Sequence, residues 1–167
     1  MRLYTITDDY LDHLRIADGK VPQSAGANYI MAKPYVGIVL QIGPDDFIAP
    51  LSSYKIAHEN IKNSDSTVFK IHALGDPTDK LGIVALKYMI PVLPHVITEI
   101  DVTNHPDVKY RALLTKQQIF IRHHSDDIKD RASELYEKVV QTPKQYFVNK
   151  SCNFSALIKQ ATSYKKS

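Results

Sequence analysis

The sequence predicts an α+β protein built around an antiparallel sheet. Segments rich in β-branched residues, with the spacing of strands, lie before residue 103, whereas segments with a helical period occupy residues 107–167. Short turns containing glycine or proline separate neighbouring strand segments, as expected of hairpins. Strands first and helices later is the order typical of α+β folds. A chain of 167 residues has the length of one domain, so we predict a single domain over 1–167.

The first elements are predicted to be a strand over 3–6 and a helix that ends near Ile16. Thr7 or Asp8 is a suitable N-cap for this helix. A connection over 18–34 follows, and loops of this length are often functional. The strand segments over 35–42 and 47–51 then flank the turn residues of 43–46, which predicts a hairpin.

The rest of the chain is predicted to hold a short helix, further strands and three helices. The predicted elements are a helix over 54–61, strands over 68–74 and 81–90, a strand or an extended crossing over 96–102, helices over 107–123 and 127–140, and a last helix capped by Asn153. The continuous apolar run over 81–86 is typical of a buried central strand. Ser125 is the expected N-cap of the helix over 127–140.

Composition excludes several classes of protein. The formal net charge of +3 permits a nucleic-acid partner without requiring one. The single cysteine, Cys152, excludes an internal disulfide and suits a reducing compartment. The first residues lack the apolar core of a signal peptide, and no apolar run approaches the roughly 20 residues of a membrane span. We therefore expect a cytoplasmic protein. Because no phosphate-binding loop, cysteine pair or His-Glu-x-x-His motif is present, we expect no metal and no cofactor.

The stretch over 49–58 concentrates polar and basic side chains after an apolar run. Its reactive residues are Ser52, Ser53, Tyr54, Lys55 and His58. Two interpretations stay open on the residue pattern alone. The serines are suitable caps for a helix that begins near Tyr54, which would leave Lys55 and His58 on its solvent face. Alternatively, the hydroxyls and cations form a site. Tyr29 and Lys33, in the long connection, are equally ambiguous.

Several separated motifs together favour the second interpretation. They are Tyr4-Thr5-Ile6, Lys20-Val21-Pro22, Tyr29, Lys33, Gly37-Ile38-Val39-Leu40, Ala49-Pro50-Leu51-Ser52-Ser53, Lys55, His58, Phe69-Lys70, Leu81-Gly82, Leu86-Lys87-Tyr88-Met89-Ile90-Pro91, Lys116-Gln117, Phe120-Ile121-Arg122 and Cys152-Asn153-Phe154-Ser155. With this combination, the chain resembles the ToxN/AbiQ family, the endoribonuclease toxins of type III toxin–antitoxin systems. The resemblance covers nearly the full length.

The resemblance implies a strongly twisted antiparallel sheet with a core like that of the MazF/Kid toxins, surrounded by helices. It also implies cleavage of adenine-rich single-stranded RNA. The expected partner is a small repeated RNA antitoxin, which folds into pseudoknots that block the active-site groove and which the toxin trims from a precursor. The assemblies of this family are closed RNA–protein complexes, and some members abort phage infection.

The family's catalytic residues carry over to Tyr29, Lys33, Ser53 and Lys55, with Ser52 adjacent. Position 52 is often threonine among relatives, so the hydroxyl is kept. For RNA binding we expect a wider footprint. It comprises His58, Lys116, Gln117, Arg122 and the lysines of the 55–70 region.

Three classes of function stay open on the sequence. The first is an endoribonuclease, in which lysines and a serine hydroxyl hold the scissile phosphate. The second is a non-catalytic RNA-binding protein that uses the same basic groove. The third is an interaction module in which the 49–58 segment is only a capped helix. Tyr54 stands where the resemblance leads us to expect proline, which affects the turn that directs Lys55.

Overall fold

The structure, a computed structural model, describes residues 1–23 and 32–166. Within these residues, seven strands form one sheet: β1 Arg2–Ile6, β2 Tyr35–Ile42, β3 Asp45–Ser52, β4 Phe69–Ala73, β5 Asp76–Val84, β6 Ile90–Val92 and β7 Ile97–Glu99. Their order is β4-β5-β3-β2-β1-β7, and β6 pairs with β3. All pairings are antiparallel. The predicted α+β class is confirmed.

Five α-helices accompany the sheet within the described part of the chain. They are α1 Asp8–Arg15, α2 Val108–His123, α3 Ser125–Tyr136, α4 Gln145–Lys150 and α5 Phe154–Thr162. Asp107 caps α2 and Asn153 caps α5, each by accepting the backbone N–H three residues on. A π-helical turn, Glu137–Gln141, continues α3. None of these helices has the length and apolar character needed to cross a bilayer.

The main core lies between the sheet and the helices. Its largest fully buried side chains include Tyr10, Tyr35, Phe47 and Phe154, and all five helices pack against it. The hydroxyl of Tyr10 donates to the carbonyl of Pro91 at 2.6 Å, which satisfies a polar group deep in the core.

A second group of apolar residues is separate from the main core, and we call it the small cluster. It consists of buried Val68, Ile83 and Ala85, against which half-buried Tyr54, Ile61 and Tyr88 pack. Two of its members, Tyr54 and Ile61, flank the 3₁₀-helix Ile56–Asn60. The small cluster therefore supports the segment that follows β3.

The predicted strand over 81–90 is wrong. The strand β5 begins earlier, at Asp76, because Gly75 (φ of 85°) makes a tight turn from β4. It ends at Val84, a 3₁₀-turn follows at Leu86–Tyr88, and β6 is a separate strand. The apolar run correctly predicted that this segment is buried. It did not predict the turn, because Leu86 is fully buried although it lies in the 3₁₀-turn and not in a strand.

Smaller corrections concern helix boundaries and one strand. The predicted helix over 54–61 is a 3₁₀-helix over Ile56–Asn60. Ser125 is the first residue of α3, and His124 takes the N-cap position. The predicted strand over 96–102 is confined to β7, and α4 was absent from the expected elements.

Candidate active site

At the end of β3, residues of β4, β5 and β3 and the segment just before β2 lie in one row across the sheet. Ser52 pairs with Ile83 in β5, and Ile83 pairs with Lys70 in β4. On the other side of β3, the N–H of Leu51 donates to the carbonyl of Pro34 at 2.9 Å. Continuing the register of β2 and β3 places Lys33 opposite Ser52. Because directly opposed residues in antiparallel strands share one face of the sheet, Lys33 lies beside Ser52, whereas on the other side Ile83 separates Ser52 from Lys70.

The backbone of β5 approaches Ser52 unusually closely. Gly82 has a φ of 151°, and a Cβ atom there would lie 2.5 Å from the Ser52 carbonyl oxygen. Only glycine adopts this conformation without strain and leaves room for that oxygen. Gly82 therefore fixes the distance between β5 and the end of β3.

Gln117 of α2 packs against the same part of β5. Its side chain is only 4 % exposed, and its Nε2 donates to the carbonyl of Leu81 at 2.9 Å. The same nitrogen would lie 3.2 Å from a Cβ at Gly82. The expected direct contact between Gln117 and RNA does not fit this burial. Its position supports a structural role beneath Ser52 instead.

Two hydrogen bonds between Lys55 and His58 close the 3₁₀-turn. The N–H of Lys55 donates to Nδ1 of His58 at 2.9 Å, and the N–H of His58 donates to the carbonyl of Lys55 at 2.9 Å. Since Nδ1 accepts a hydrogen bond, the neutral ring carries its proton on Nε2. The N-cap is Lys55, so the interpretation of Ser52 and Ser53 as helix caps is wrong. Ser53 is exposed.

Four lysines surround this turn and form what we call the lysine cluster: Lys33, Lys55, Lys70 and Lys87. Burial lowers the pKa of Lys33, and the nearby charge of Lys55 lowers it further. Burial likewise lowers the pKa of His58, and the charges of Lys55, Lys87 and Lys70 add to this effect. Such a concentration of positive charge favours a phosphate ligand.

The structure brings together most of the predicted catalytic residues. Lys33, Ser52, Ser53 and Lys55 lie around the end of β3, and His58 joins them through its contacts with Lys55. Tyr29 lies outside the described residues.

The remaining predicted RNA-binding residues lie farther along α2. Lys116 is exposed and forms an ion pair of 3.0 Å with Asp79 of β5. Arg122 lies near the N-terminus of the chain, with Nε 3.5 Å from the carbonyl of Met1. Arg122 is therefore not brought together with the lysine cluster.

Sequence reasoning missed Lys87 as a site residue. Lys87 lies in the 3₁₀-turn after β5, where its N–H donates to the carbonyl of Thr67 at 2.9 Å. The useful signal would have been strand register. Once Ile83 is paired with Ser52, a lysine shortly after the end of β5 must lie near the end of β3.

The chemical capacity of this site follows from its groups. The hydroxyls of Ser52 and Ser53 donate hydrogen bonds, and the lysines supply positive charge. Within 1–23 and 32–166, no group of three or more histidine, cysteine, aspartate or glutamate side chains is arranged to hold a metal ion. The arrangement suits recognition and activation of a phosphodiester.

Comparison with known proteins identifies the family. The family model described as "Toxin ToxN, type III toxin-antitoxin system" matches residues 2–162. A curated relative, Endoribonuclease ToxN of Pectobacterium atrosepticum, is 39% identical over 157 residues, which cover 94% of this chain and 90% of the relative.

Solved structures show the same fold. A structure from work on a processed non-coding RNA that regulates a bacterial antiviral system has a TM-score of 0.92 and 37% identity, and covers 99% of this chain and 100% of that chain. Another, from work on selective toxin inhibition by a non-coding RNA pseudoknot in type III toxin–antitoxin systems, has a TM-score of 0.83 and 26% identity, and covers 99% and 98%. The chain belongs to the ToxN family of type III toxin–antitoxin toxins.

Proposed function

We propose that this protein is an endoribonuclease toxin that cleaves adenine-rich single-stranded RNA by attack of the RNA's own 2′-OH. The products are a 2′,3′-cyclic phosphate and a 5′-hydroxyl. The observation that supports this most directly is the lysine cluster around two serine hydroxyls at the end of β3. Membership of a family whose curated relative is named an endoribonuclease supports the reaction class.

Such a reaction needs alignment, proton transfer and stabilisation of charge. RNA supplies the nucleophile, so the protein must align the 2′-oxygen, the phosphorus and the departing 5′-oxygen. In our scheme Lys55 and Lys33 hold the phosphate, and the Ser53 hydroxyl donates to a non-bridging oxygen. One well-placed donor contributes roughly 10²- to 10³-fold in rate. Ser52 orients the same phosphate from the adjacent position.

The reaction moves two protons, one from the 2′-OH to water and one to the departing 5′-oxygen. Burial and the charge of Lys55 lower the pKa of Lys33, so the ammonium group of Lys33, which holds the phosphate, is suited to give its proton to the 5′-oxygen. Tyr29 orients the 2′-OH or stacks on a base. His58 is unsuited to act as a base, because the Lys55 N–H occupies its Nδ1 and its Nε2 carries the proton. It binds RNA as a hydrogen-bond donor, and Lys116 and Arg122 extend the contacts with phosphates.

The proposed regulator is a small repeated RNA antitoxin that folds into a pseudoknot and covers the lysine cluster. The toxin trims this RNA from a precursor, and the two associate in a closed RNA–protein assembly in the cytoplasm. The relatives described above, one in an antiviral system and one inhibited by a pseudoknot, support this proposal. The corresponding cellular role is abortive infection of phage-infected cells.

The direct test is cleavage of a labelled adenine-rich RNA by purified protein. Wild type is expected to leave cyclic phosphate and 5′-hydroxyl ends, with or without a chelator. Ser53→Ala and Lys55→Ala are expected to lower the rate by about 10²-fold or more while the circular dichroism spectrum is unchanged. Lys159→Ala, an exposed lysine of α5, is the matched control for loss of charge. Products with 5′-phosphates, or full activity of both variants, would contradict the scheme.

The alternative, a non-catalytic RNA-binding protein, predicts a different result. Wild type would bind the same RNA and leave it intact, and Lys55→Ala would only weaken binding. Expression in a bacterial host gives an independent check. Growth inhibition relieved by a transcribed, untranslated repeat from the DNA upstream of the reading frame supports the toxin proposal, whereas indifference to that DNA contradicts the proposed regulation.

A further inference from the structure

A cavity of about 490 Å³ opens beside the candidate active site, on the side of β4 and β5. Tyr54, Ile61 and Pro77 provide apolar surface, and Lys62, Lys70 and Lys80 provide positive charge. Tyr54 stands between Ser53 and Lys55 in the chain, so the cavity and the candidate site share one wall. Lys70 also belongs to both, because it lies in the row with Ser52 and its charge acts on His58.

Tyr54 offers an aromatic ring to this cavity. Its ring meets His58 edge to face, with centroids 5.5 Å apart, and His58 is itself held by the N–H of Lys55. The amine of Lys80 lies 5.0 Å from the centroid of the Tyr54 ring. An aromatic ring beside cations is the combination with which proteins bind single-stranded nucleic acid, because every base can stack and every nucleotide carries a phosphate.

The positive charge of the cavity is only partly neutralised. Glu59, the one carboxylate among the described residues that line it, forms an ion pair with Lys80. The side-chain amines of Lys62 and Lys70 form neither an ion pair nor a hydrogen bond within the described parts of the chain, and Lys70 is a half-buried residue. An ammonium group without a counter-charge favours an anionic ligand.

We propose that this cavity is a nucleotide subsite of the proposed ribonuclease, which binds one nucleotide of single-stranded RNA next to the cleaved bond. The base packs on Tyr54 between Ile61 and Pro77, and the phosphates lie against Lys70 and Lys62. The assignment rests on the proposed function, and it adds a residue, Tyr54, that selects for an unpaired base. A base within a duplex cannot stack on a tyrosine in this way.

Binding measured without cleavage tests this subsite. In a Ser53→Ala background, the probe is a fluorescein-labelled RNA of twelve adenosines, and its affinity is measured by fluorescence anisotropy over a range of salt concentrations. Tyr54→Ala is expected to weaken binding about 5- to 150-fold with an unchanged salt dependence, and Tyr54→Phe to restore it. Lys70→Ala is expected to reduce the slope of log K against log salt by about 0.7, whereas Lys159→Ala leaves it unchanged.

A scan with single abasic nucleotides separates stacking from a structural role of Tyr54. At one position of the RNA, removal of the base is expected to weaken binding by the parent and to have no effect on Tyr54→Ala. If no position behaves in this way, or if Tyr54→Ala binds as tightly as the parent, the subsite is refuted. If wild type leaves RNA intact but the scan succeeds, the proposed cleavage fails and the binding site stands.

Discussion

The main core and the small cluster differ in size, in composition and in what they hold in place. The main core encloses the large aromatic side chains of Tyr10, Phe47 and Phe154 and is contacted by every helix. The small cluster has three buried residues, none larger than isoleucine, and half-buried side chains of the 3₁₀ segment close it. Hydrophobic stabilisation scales with buried area, so the main core determines whether the chain folds. The small cluster holds Tyr54, the residue between Ser53 and Lys55.

The largest effect on stability is expected from Phe154→Ala. Phe154 is fully buried, with ring centroids 6.1 Å from those of both Phe47 and Tyr136. Its truncation leaves a cavity that costs about 3–5 kcal/mol in the free energy of unfolding, measured by urea denaturation. RNA cleavage per folded molecule is expected to stay near that of wild type. A large loss of cleavage at low denaturant, where the protein is still folded, would contradict the separation of the two regions.

Outside the catalytic residues, the largest effect on the site is expected from Gly82→Ala. The new methyl group would lie 2.5 Å from the Ser52 carbonyl oxygen at a φ that favours glycine, so β5 or the end of β3 must move. Backbone strain of this kind costs on the order of 1–3 kcal/mol. We expect cleavage to fall by about 10²-fold, since small displacements of a catalytic group have effects of that size.

Gly43→Ala is the control for the glycine substitution, because Gly43 also has a positive φ (57°) but a Cβ there meets no atom within 4 Å. It is expected to lose some stability and no cleavage rate. Equal losses of cleavage in the two variants would show that the approach of Gly82 to Ser52 is unimportant.

A matched pair of smaller substitutions compares the regions directly. Ile83→Val in the small cluster and Ile48→Val in the main core each remove one buried methyl group, at a cost of about 0.5–1.5 kcal/mol in stability. Only Ile83→Val is expected to lower the cleavage rate, because Ile83 is paired with Ser52. Parallel measurements of urea denaturation and cleavage check this, and equal effects on cleavage would remove the distinction.

The smallest expected effect is a pH dependence at His58. Its pKa is lowered in the folded protein, chiefly by burial and further by Lys55, Lys87 and Lys70. The unfolded chain therefore takes up a proton first, near pH 6.5, and stability falls as the pH drops below that value. Above it both states are neutral and the contribution is constant.

An NMR titration of His58, together with denaturation at pH 8 and pH 5.5, measures this effect. His58→Gln is expected to lose less stability than wild type over that interval, since glutamine does not titrate. An identical loss in both proteins would assign the pH dependence to other groups.

Regular elements were predictable where the pattern was long. The strand β2 and the helix α2 were confirmed nearly to their ends. The β-branched residues of β2 are compatible only with a strand, and the sustained helical period of α2 only with a helix. The break between β5 and β6 was not predictable, because an apolar run reports burial and says nothing about which strand a segment pairs with. Both segments pair with β3, at different points along it.

The candidate site was predictable in its residue types and less so in its roles. Lys33, Ser52, Ser53 and Lys55 lie together as expected. The burial of Gln117 and the bond between Lys55 and His58 depend on how α2 and the 3₁₀-turn lie against β5, and no local pattern encodes that geometry. Polar residue type alone suggested a groove residue at Gln117, where the fold requires a partner for a backbone carbonyl.

The row through Ser52, Ile83 and Lys70 has a consequence for synthesis of the protein. Its members are far apart in the chain. Gln117, which supports the row through β5, belongs to a helix that is synthesised after all of them. Pairings between distant segments form late, after the chain between them has left the ribosome. We therefore expect a nascent toxin to stay inert toward the messenger RNA that encodes it until more than two thirds of the chain has emerged.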